Sequence, residues 1–102
     1  MSNEINVYYN SDQVYIIKQE AIYDVLNSVL ESYNNVKLNK SINLKFENNS
    51  NVWILVDIKI KEQNSNQLYE IINKLTKDID SVIKSLIDKS PKNIQIVFSG
   101  YY

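Results

Sequence analysis

The side chains able to shuttle protons, attack carbon or hold a metal are few in this sequence. It carries twelve carboxylates and eight tyrosines, with no histidine and no cysteine. Arginine is absent as well, so all eleven basic residues are lysines. Without Cys there is no thiolate nucleophile, no disulfide framework and no Cys–zinc site. Without His the side chain that most often does acid–base work near neutral pH is missing, and with it the commonest zinc ligand. Without Arg no planar fork grips phosphate or carboxylate in a bidentate manner. Catalysis would fall to Lys, Asp, Glu, Ser, Thr and Tyr.

The carboxylates do not fall into a catalytic pattern. Asp78 and Asp80 are two apart on a helical stretch and so do not face each other. Glu20 and Asp24 are four apart and do. A paired-carboxylate site needs burial or close like charges to split the two pKa values, and these residues read as a solvated helix flank. Asp57 and Glu62 sit in no EF-hand-like loop, so they give no Mg²⁺ or Ca²⁺ site. The single glycine, Gly100, rules out G-x-x-x-x-G-K-S/T, G-x-G-x-x-G and G-x-S-x-G, and with them a glycine loop for phosphate. The expectation is a chain with no catalytic residue, no metal and no cofactor.

Binding chemistry is better represented. Lys59 and Lys61 alternate with apolar residues on the same strand face as Trp53 and Leu55, and Lys45 stands nearby. Basic plus aromatic side chains on an open sheet is how RNA-binding sheets work. Asp57 interrupts that row, and a second aromatic is missing. Trp53 with Leu55 and Val97 would otherwise make a small apolar patch of the kind that marks association surfaces. Tyr8, Tyr9, Tyr101 and Tyr102 lie at the two ends of the chain and would cluster if those ends pair. The residues assigned to a partner surface are Trp53, Leu55, Val97, Tyr101 and Tyr102.

These residues must be positioned by about one domain of structure, since the chain has 102 residues. Size scaling gives about 6,000 Å² of folded surface against roughly 17,000 Å² unfolded, enough for one core. The formal charge is −1, which argues against a general nucleic-acid binder or a polybasic membrane segment. No apolar run approaches transmembrane length and no signal peptide is evident, so a cytoplasmic location is expected. The excess of Asn, Lys, Ile and Tyr matches an AT-rich coding sequence, which cautions against reading function into each Asn and Tyr.

Periodicity supplies the elements. Residues 1–12 read as a tail or a weak edge strand, closed by a turn at Asn10-Ser11-Asp12. Val14-Tyr15-Ile16-Ile17 is a short strand. Ile22, Val25, Leu26, Val29, Leu30 and Tyr33 form one helical stripe, with a left-handed stop expected at Asn34-Asn35. Ile42, Leu44 and Phe46 alternate with polar residues, Asn48-Asn49-Ser50-Asn51 is a turn, and Val52 to Ile60 alternate again. That pair reads as a hairpin. An odd loop joins the Phe46 and Ile54 faces and leaves Trp53 outward, whereas a two-residue loop would put Phe46 beside Trp53. The odd loop is preferred because it buries five β-branched residues. Ser65 is the expected N-cap of a second helix, whose stripe runs from Leu68 to Leu86 and ends at Ser90-Pro91. Ile94, Ile96 and Phe98 alternate in a last strand. The order β-α-β-β-α-β predicts a single α+β domain over 1–102, a two-layer sandwich with two helices on one face of a mainly antiparallel sheet.

This pattern resembles the alkaline shock protein family of bacterial envelope stress-response proteins. Tyr15-x-Ile17 is followed by Glu20-Ala21-Ile22, Val25-Leu26, Val29 and Asn35-Val36 at matching spacing. Val56-Asp57-Ile58-Lys59-Ile60 is similar to the family's Val-Asp-(Val/Ile)-x-(Ile/Leu) segment. Lys92-Asn93-Ile94-Gln95-Ile96 with Gly100 is similar to its final strand. The family's Tyr-Gly before the second helix is Gln63-Asn64 here, its Gly-Val is Asn35-Val36, and its small helix residues are larger ones such as Leu26 and Val29. The resemblance implies a divergent, non-enzymatic member that self-associates or binds a membrane-anchoring protein beneath the envelope, and so lies peripheral to the membrane through that partner. The alternative carried beside it is a small nucleic-acid-binding domain using Lys45, Lys59 and Lys61 on the open sheet face.

Overall fold

A computed structural model describes residues 3–10 and 12–102, with only the backbone at Tyr9 and Asn10. The fold is α+β, with two helices and mostly antiparallel strands. The elements are β1 (Glu4–Asn10), β2 (Gln13–Lys18), α1 (Gln19–Glu31), β3 (Val36–Leu38), β4 (Asn43–Glu47) and β5 (Asn51–Ile60). A 3₁₀ segment (Glu62–Gln67), α2 (Leu68–Ile87) and β6 (Asn93–Tyr101) complete the chain. The expected order is present with two additions: β1 is a paired strand, and the short β3 precedes the hairpin.

The main sheet is organised around β5. Its even-numbered residues Val52, Ile54, Val56, Ile58 and Ile60 are all buried and join Ile22, Leu26 and Leu30 of α1 and Ile71, Leu75, Ile79, Ile83 and Ile87 of α2 in one core. Both helices therefore pack on one sheet face, as period-2 and period-3.6 stripes require. β6 runs parallel to β5 from Trp53↔Asn93 to Ile60↔Tyr101. That occupies one edge of β5, so antiparallel β3 and β4 share the other. β3 pairs Leu38 with Ile58, and β4 pairs Asn43 with Leu55. The intervening residues 39–42 break this edge opposite Val56 and Asp57.

The β4–β5 loop has an odd length. Phe46 faces Val52 and Glu47 faces Asn51 across Asn48-Asn49-Ser50. Asn48 and Asn49 both take left-handed backbone, at φ 52° and 56°, which Asn tolerates better than most residues. The Ser50 amide donates to the Glu47 carbonyl at 2.9 Å to close the turn. This register keeps Phe46 inward and turns Trp53 outward.

Four expectations are corrected. β2 does not join the main sheet; it pairs with β1 in a separate two-stranded ribbon, Ile5 opposite Ile17 and Val7 opposite Tyr15. The ribbon is held to the main sheet where the Asn6 amide donates to the Asn49 carbonyl at 2.7 Å. α1 stops before Asn34-Asn35: Ser32 caps it in right-handed geometry, its hydroxyl donating to the Val29 carbonyl at 2.6 Å. Ser65 caps nothing, because the chain reaches α2 through the 3₁₀ turn and Gln67 takes the cap position without a side-chain bond. α2 ends after Ile87, where Asp88 turns left-handed at φ 64° and its amide bonds back to the Lys84 carbonyl, so the stop precedes Ser90-Pro91. The turn expected at Asn10-Ser11-Asp12 includes Ser11, outside the described residues.

The molecule is elongated, 52 × 23 × 19 Å, with a radius of gyration of 14.7 Å against about 13 Å for a compact chain of this length. The β1–β2 ribbon stands apart from the main sheet. Ile5 and Val7 are buried at its base, while Tyr8, Val14, Tyr15 and Ile16 are exposed.

Candidate functional site

The sheet face turned away from the helices is built from the odd-numbered residues of β5. The strand pairings lay it out in rows: Lys45–Trp53–Asn93, then Asn43–Leu55–Gln95, then Asp57–Val97, then Lys37–Lys59. Trp53 is 37% exposed, and Leu55 and Val97 beside it are half-buried. The indole N–H of Trp53 donates to Glu47 Oε2 at 3.1 Å. Lys45 Nζ stands 5.8 Å from the Trp53 ring centre, and Lys92 Nζ lies 4.0 Å from Glu47 Oε1. Trp53 is thus an apolar centre with a charged rim, the anatomy of a protein interface.

The other assigned residues divide. Tyr102 lies towards the Ile60 end of β5, its amide bonded to the Ile60 carbonyl at 3.0 Å. Its ring carries Lys37 Nζ at 4.4 Å, which offsets the like-charge opposition of Lys37 and Lys59 across the ladder. Tyr101 pairs with the buried Ile60 and stacks edge-on against Phe98 at 4.9 Å, so it belongs to the helix side. The switch of face comes from a bulge: β6 uses one extra residue between Phe98 and Tyr101, where Gly100 has φ 131°. The terminal tyrosines do not cluster. Tyr8 stands on the ribbon near the Asn49 turn, and Tyr102 at the opposite end of β5; the Tyr9 side chain lies outside the described residues.

The acids are placed differently from their sequence reading. Asp57 is buried, 8% exposed, although it lies on the outward face. The Ser99 hydroxyl donates to its Oδ1 in a short hydrogen bond, and Asn39 Nδ2 donates to the same oxygen at 3.4 Å. Glu62 is exposed at the start of the 3₁₀ turn. Glu20 and Asp24 are exposed on α1. Among the described residues no group of three acidic side chains is placed to hold a metal ion.

Two features escape the sequence. The first is a polar cluster between the end of α1 and α2. Tyr33 Oη donates to Asp78 Oδ2 at 2.5 Å. Lys74 Nζ reaches the same oxygen at 3.0 Å and lies 4.9 Å from the Tyr33 ring centre. By spacing alone Tyr33 belongs to the core stripe and Asp78 to a solvated flank. Burial and the carboxylate beside it push the Tyr33 phenol above its ordinary pKa. The Tyr33 hydrogen bond holds Asp78 below the usual carboxylate range, with Lys74 assisting and burial opposing. The hydrogen bonds to Asp78 and then Tyr33 raise Lys74. Tyr33 and Lys74 wall an open cavity of about 530 Å³ that also receives Asn35, Lys61, Gln67 and Glu70. Its lysines are balanced by Asp78 and Glu70, so it has no dominant charge to select a ligand. The i, i+4 spacing of Lys74 and Asp78 is the available signal.

The second is the outer face of the ribbon, where Tyr8, 73% exposed, stands opposite Val14, next to Ile16. The alternation of Ile5 and Val7, with the turn after it, is the signal for that hairpin. No helix among the described residues is long and apolar enough to cross a membrane. No protein-family model, no curated protein and no solved structure matches the chain.

Proposed function

We propose that this chain is a non-enzymatic, self-associating scaffold or adaptor domain that works beneath a bacterial cell envelope, as its resemblance to the alkaline shock proteins implies. One observation supports the association reading above all: Trp53 stands partly exposed, with Leu55 and Val97, on a sheet face that neither helix covers. The free part of the side chain, 37% of a tryptophan, is roughly 90 Å². Covering it is worth about 2 kcal/mol, or about thirtyfold in affinity per copy. The partner is a second copy or a membrane-anchoring protein, and the domain itself stays on the cytoplasmic side.

The nucleic-acid reading has less support. A base would have to stack on Trp53 or Tyr102, and both rings carry a lysine of the same chain. Glu47 and Asp57 add negative charge along the row.

Light scattering over a concentration series tests the proposal. The wild type is expected above monomer mass, rising with concentration, and Trp53→Ala with Leu55→Ser is expected to shift towards monomer. A wild type that stays monomeric at every concentration sinks the association reading. A salt-sensitive complex with a short RNA would favour the alternative instead.

A further inference from the structure

The sheet's two edges are built differently. The edge formed by β3 and β4 is short, broken at 39–42, and carries Lys37, Lys45 and Glu47. The β1–β2 ribbon has a bulge near its turn and the Lys18–Glu4 ion pair at its base. Charges, breaks and bulges of this kind keep strand edges from pairing with other chains. β6 carries none of these over its first six residues. Asn93-Ile94-Gln95-Ile96-Val97-Phe98-Ser99-Gly100-Tyr101 has no charged side chain, and its bulge lies only at the far end. Among the described residues β6 pairs with β5 alone. Every second residue of a strand so placed turns its N–H and C=O outward.

The side chains at this edge are also incompletely covered. Ile54, Val56 and Ile58 of β5 are buried, yet their neighbours Ile94, Ile96 and Phe98 on β6 are only half-buried. The helix layer ends before it closes over this row.

We infer that the β6 edge is where a second copy of this chain adds, strand to strand and antiparallel about a two-fold axis, so that one sheet runs through both copies. This rests on the self-association reading above and adds a second contact to it, at the sheet edge beside the Trp53 face. A two-fold axis normal to the sheet keeps the two helix layers on the same side. Any register that preserves the pleat then sets Ile94, Ile96 and Phe98 of one copy beside the same row of the other. The absence of charge on β6 matters for a homotypic contact. Two copies of β4 would bring Lys45 towards Lys45, whereas two copies of β6 bring no like charges together. Area agrees with a modest dimer. Nine residues of strand span about 30 Å. With the molecule's 19 Å thickness, the edge offers about 500 Å² per copy, or about 1,000 Å² in all, the lower bound for a specific interface.

The test uses two kinds of variant. Asn93→Lys with Gln95→Lys places charges on exposed positions of β6, beside Trp53 and Leu55, so the crosslinks below separate the edge from the Trp53 face. Sedimentation should show its dimer dissociation constant raised at least about tenfold, with partial recovery in high salt. The chain has no cysteine, so single cysteines placed in turn at Ile94, Gln95, Ile96, Val97 and Phe98 give one thiol per copy. The position nearest the two-fold axis should form a disulfide-linked dimer on mild oxidation, while Lys84→Cys on α2 should not. If the wild type associates but the lysine variant is unchanged and no edge cysteine crosslinks, the β6 edge is wrong and self-association stands on another surface. If the wild type is monomeric throughout, both the edge and the reading beneath it are overturned.

Discussion

Removing the Tyr33 hydroxyl isolates the coupled polar cluster between the helices. Tyr33→Phe keeps the ring under Lys74 but deletes the 2.5 Å donor to Asp78. Hydrogen bonds to charged groups contribute about 1.5–3 kcal/mol in mutational series. The Asp78 side chain is 39% exposed, so water replaces part of what is lost and the expected cost is about 1 kcal/mol. For a domain of this size that is a fall of about 4–8 °C in melting temperature. A double-mutant cycle with Asp78→Ala should return a coupling of about the same size. The pH dependence carries a sign. Asp78 is held below its ordinary value, chiefly by Tyr33, so its contribution is present above the unfolded carboxylate pKa, near 3.9. It is lost as pH falls through the folded value. The gap between wild type and Tyr33→Phe should therefore be full at neutrality and shrink in acid below about pH 4. Tyr33 and Lys74 are both raised, so their contribution is present below their ordinary values and lost as pH climbs through the folded ones. Urea titrations from pH 7 down to pH 2 measure the gap. Additivity of the two substitutions within about 0.3 kcal/mol, or a gap that does not change with pH, would refute the coupling.

Two further outcomes follow from single residues. Asp57→Ala should cost about 1–2 kcal/mol, the lower part of the usual range for a stranded partner, because Ser99 and Asn39 are exposed and can turn to water. Asp57→Asn should retain most of the wild-type stability, and equal urea midpoints for all three proteins would remove the carboxylate's structural role. Gly100→Ala meets no atom within 4 Å, yet its φ of 131° is strained for any L side chain. The cost is backbone strain of about 1–3 kcal/mol, and an unchanged melting temperature would show that the bulge can relax.

The helices were legible because their stripes are long and repeat at one period. Ile22, Leu26 and Leu30, and then Leu75, Ile79 and Ile83, are buried where the offsets put them. The hairpin register was legible for a related reason: only an odd loop puts Phe46 on the same face as Val52 through Ile60. What failed was information carried by distant residues. Periodicity marks Val14–Ile17 as a strand but cannot say that it pairs with residues 5–8 and leaves the main sheet. Asn34-Asn35 and Ser65 have the right local chemistry for caps, but Ser32 and the 3₁₀ turn take those places. Tyr33 sits at a stripe offset, yet its hydroxyl is claimed by Asp78, 45 residues on. The outward placement of Trp53, Leu55 and Val97 followed from strand parity, while Tyr101 was displaced to the other side by a bulge that one glycine permits.

Asp57 links these local facts to the shape of the whole sheet. It is the one carboxylate among the buried residues described, at the middle of the longest strand and on the face without helices. Leaving its oxygens unpaired there would cost more than the strand gains by continuing straight past it. The neighbouring chain instead breaks at 39–42. The Asn39 amide donates to the Asp57 carbonyl at 2.8 Å and its side chain approaches the carboxylate, while Ser99 serves it from β6. The break divides what would be one long edge strand into β3 and β4, too short and too charged to template another chain. Ser99, by contrast, bonds inward across the sheet and leaves β6 unbroken from Asn93 to Phe98. Asp57 therefore closes one edge of the sheet and leaves the other open, the edge at which we propose that a second copy adds.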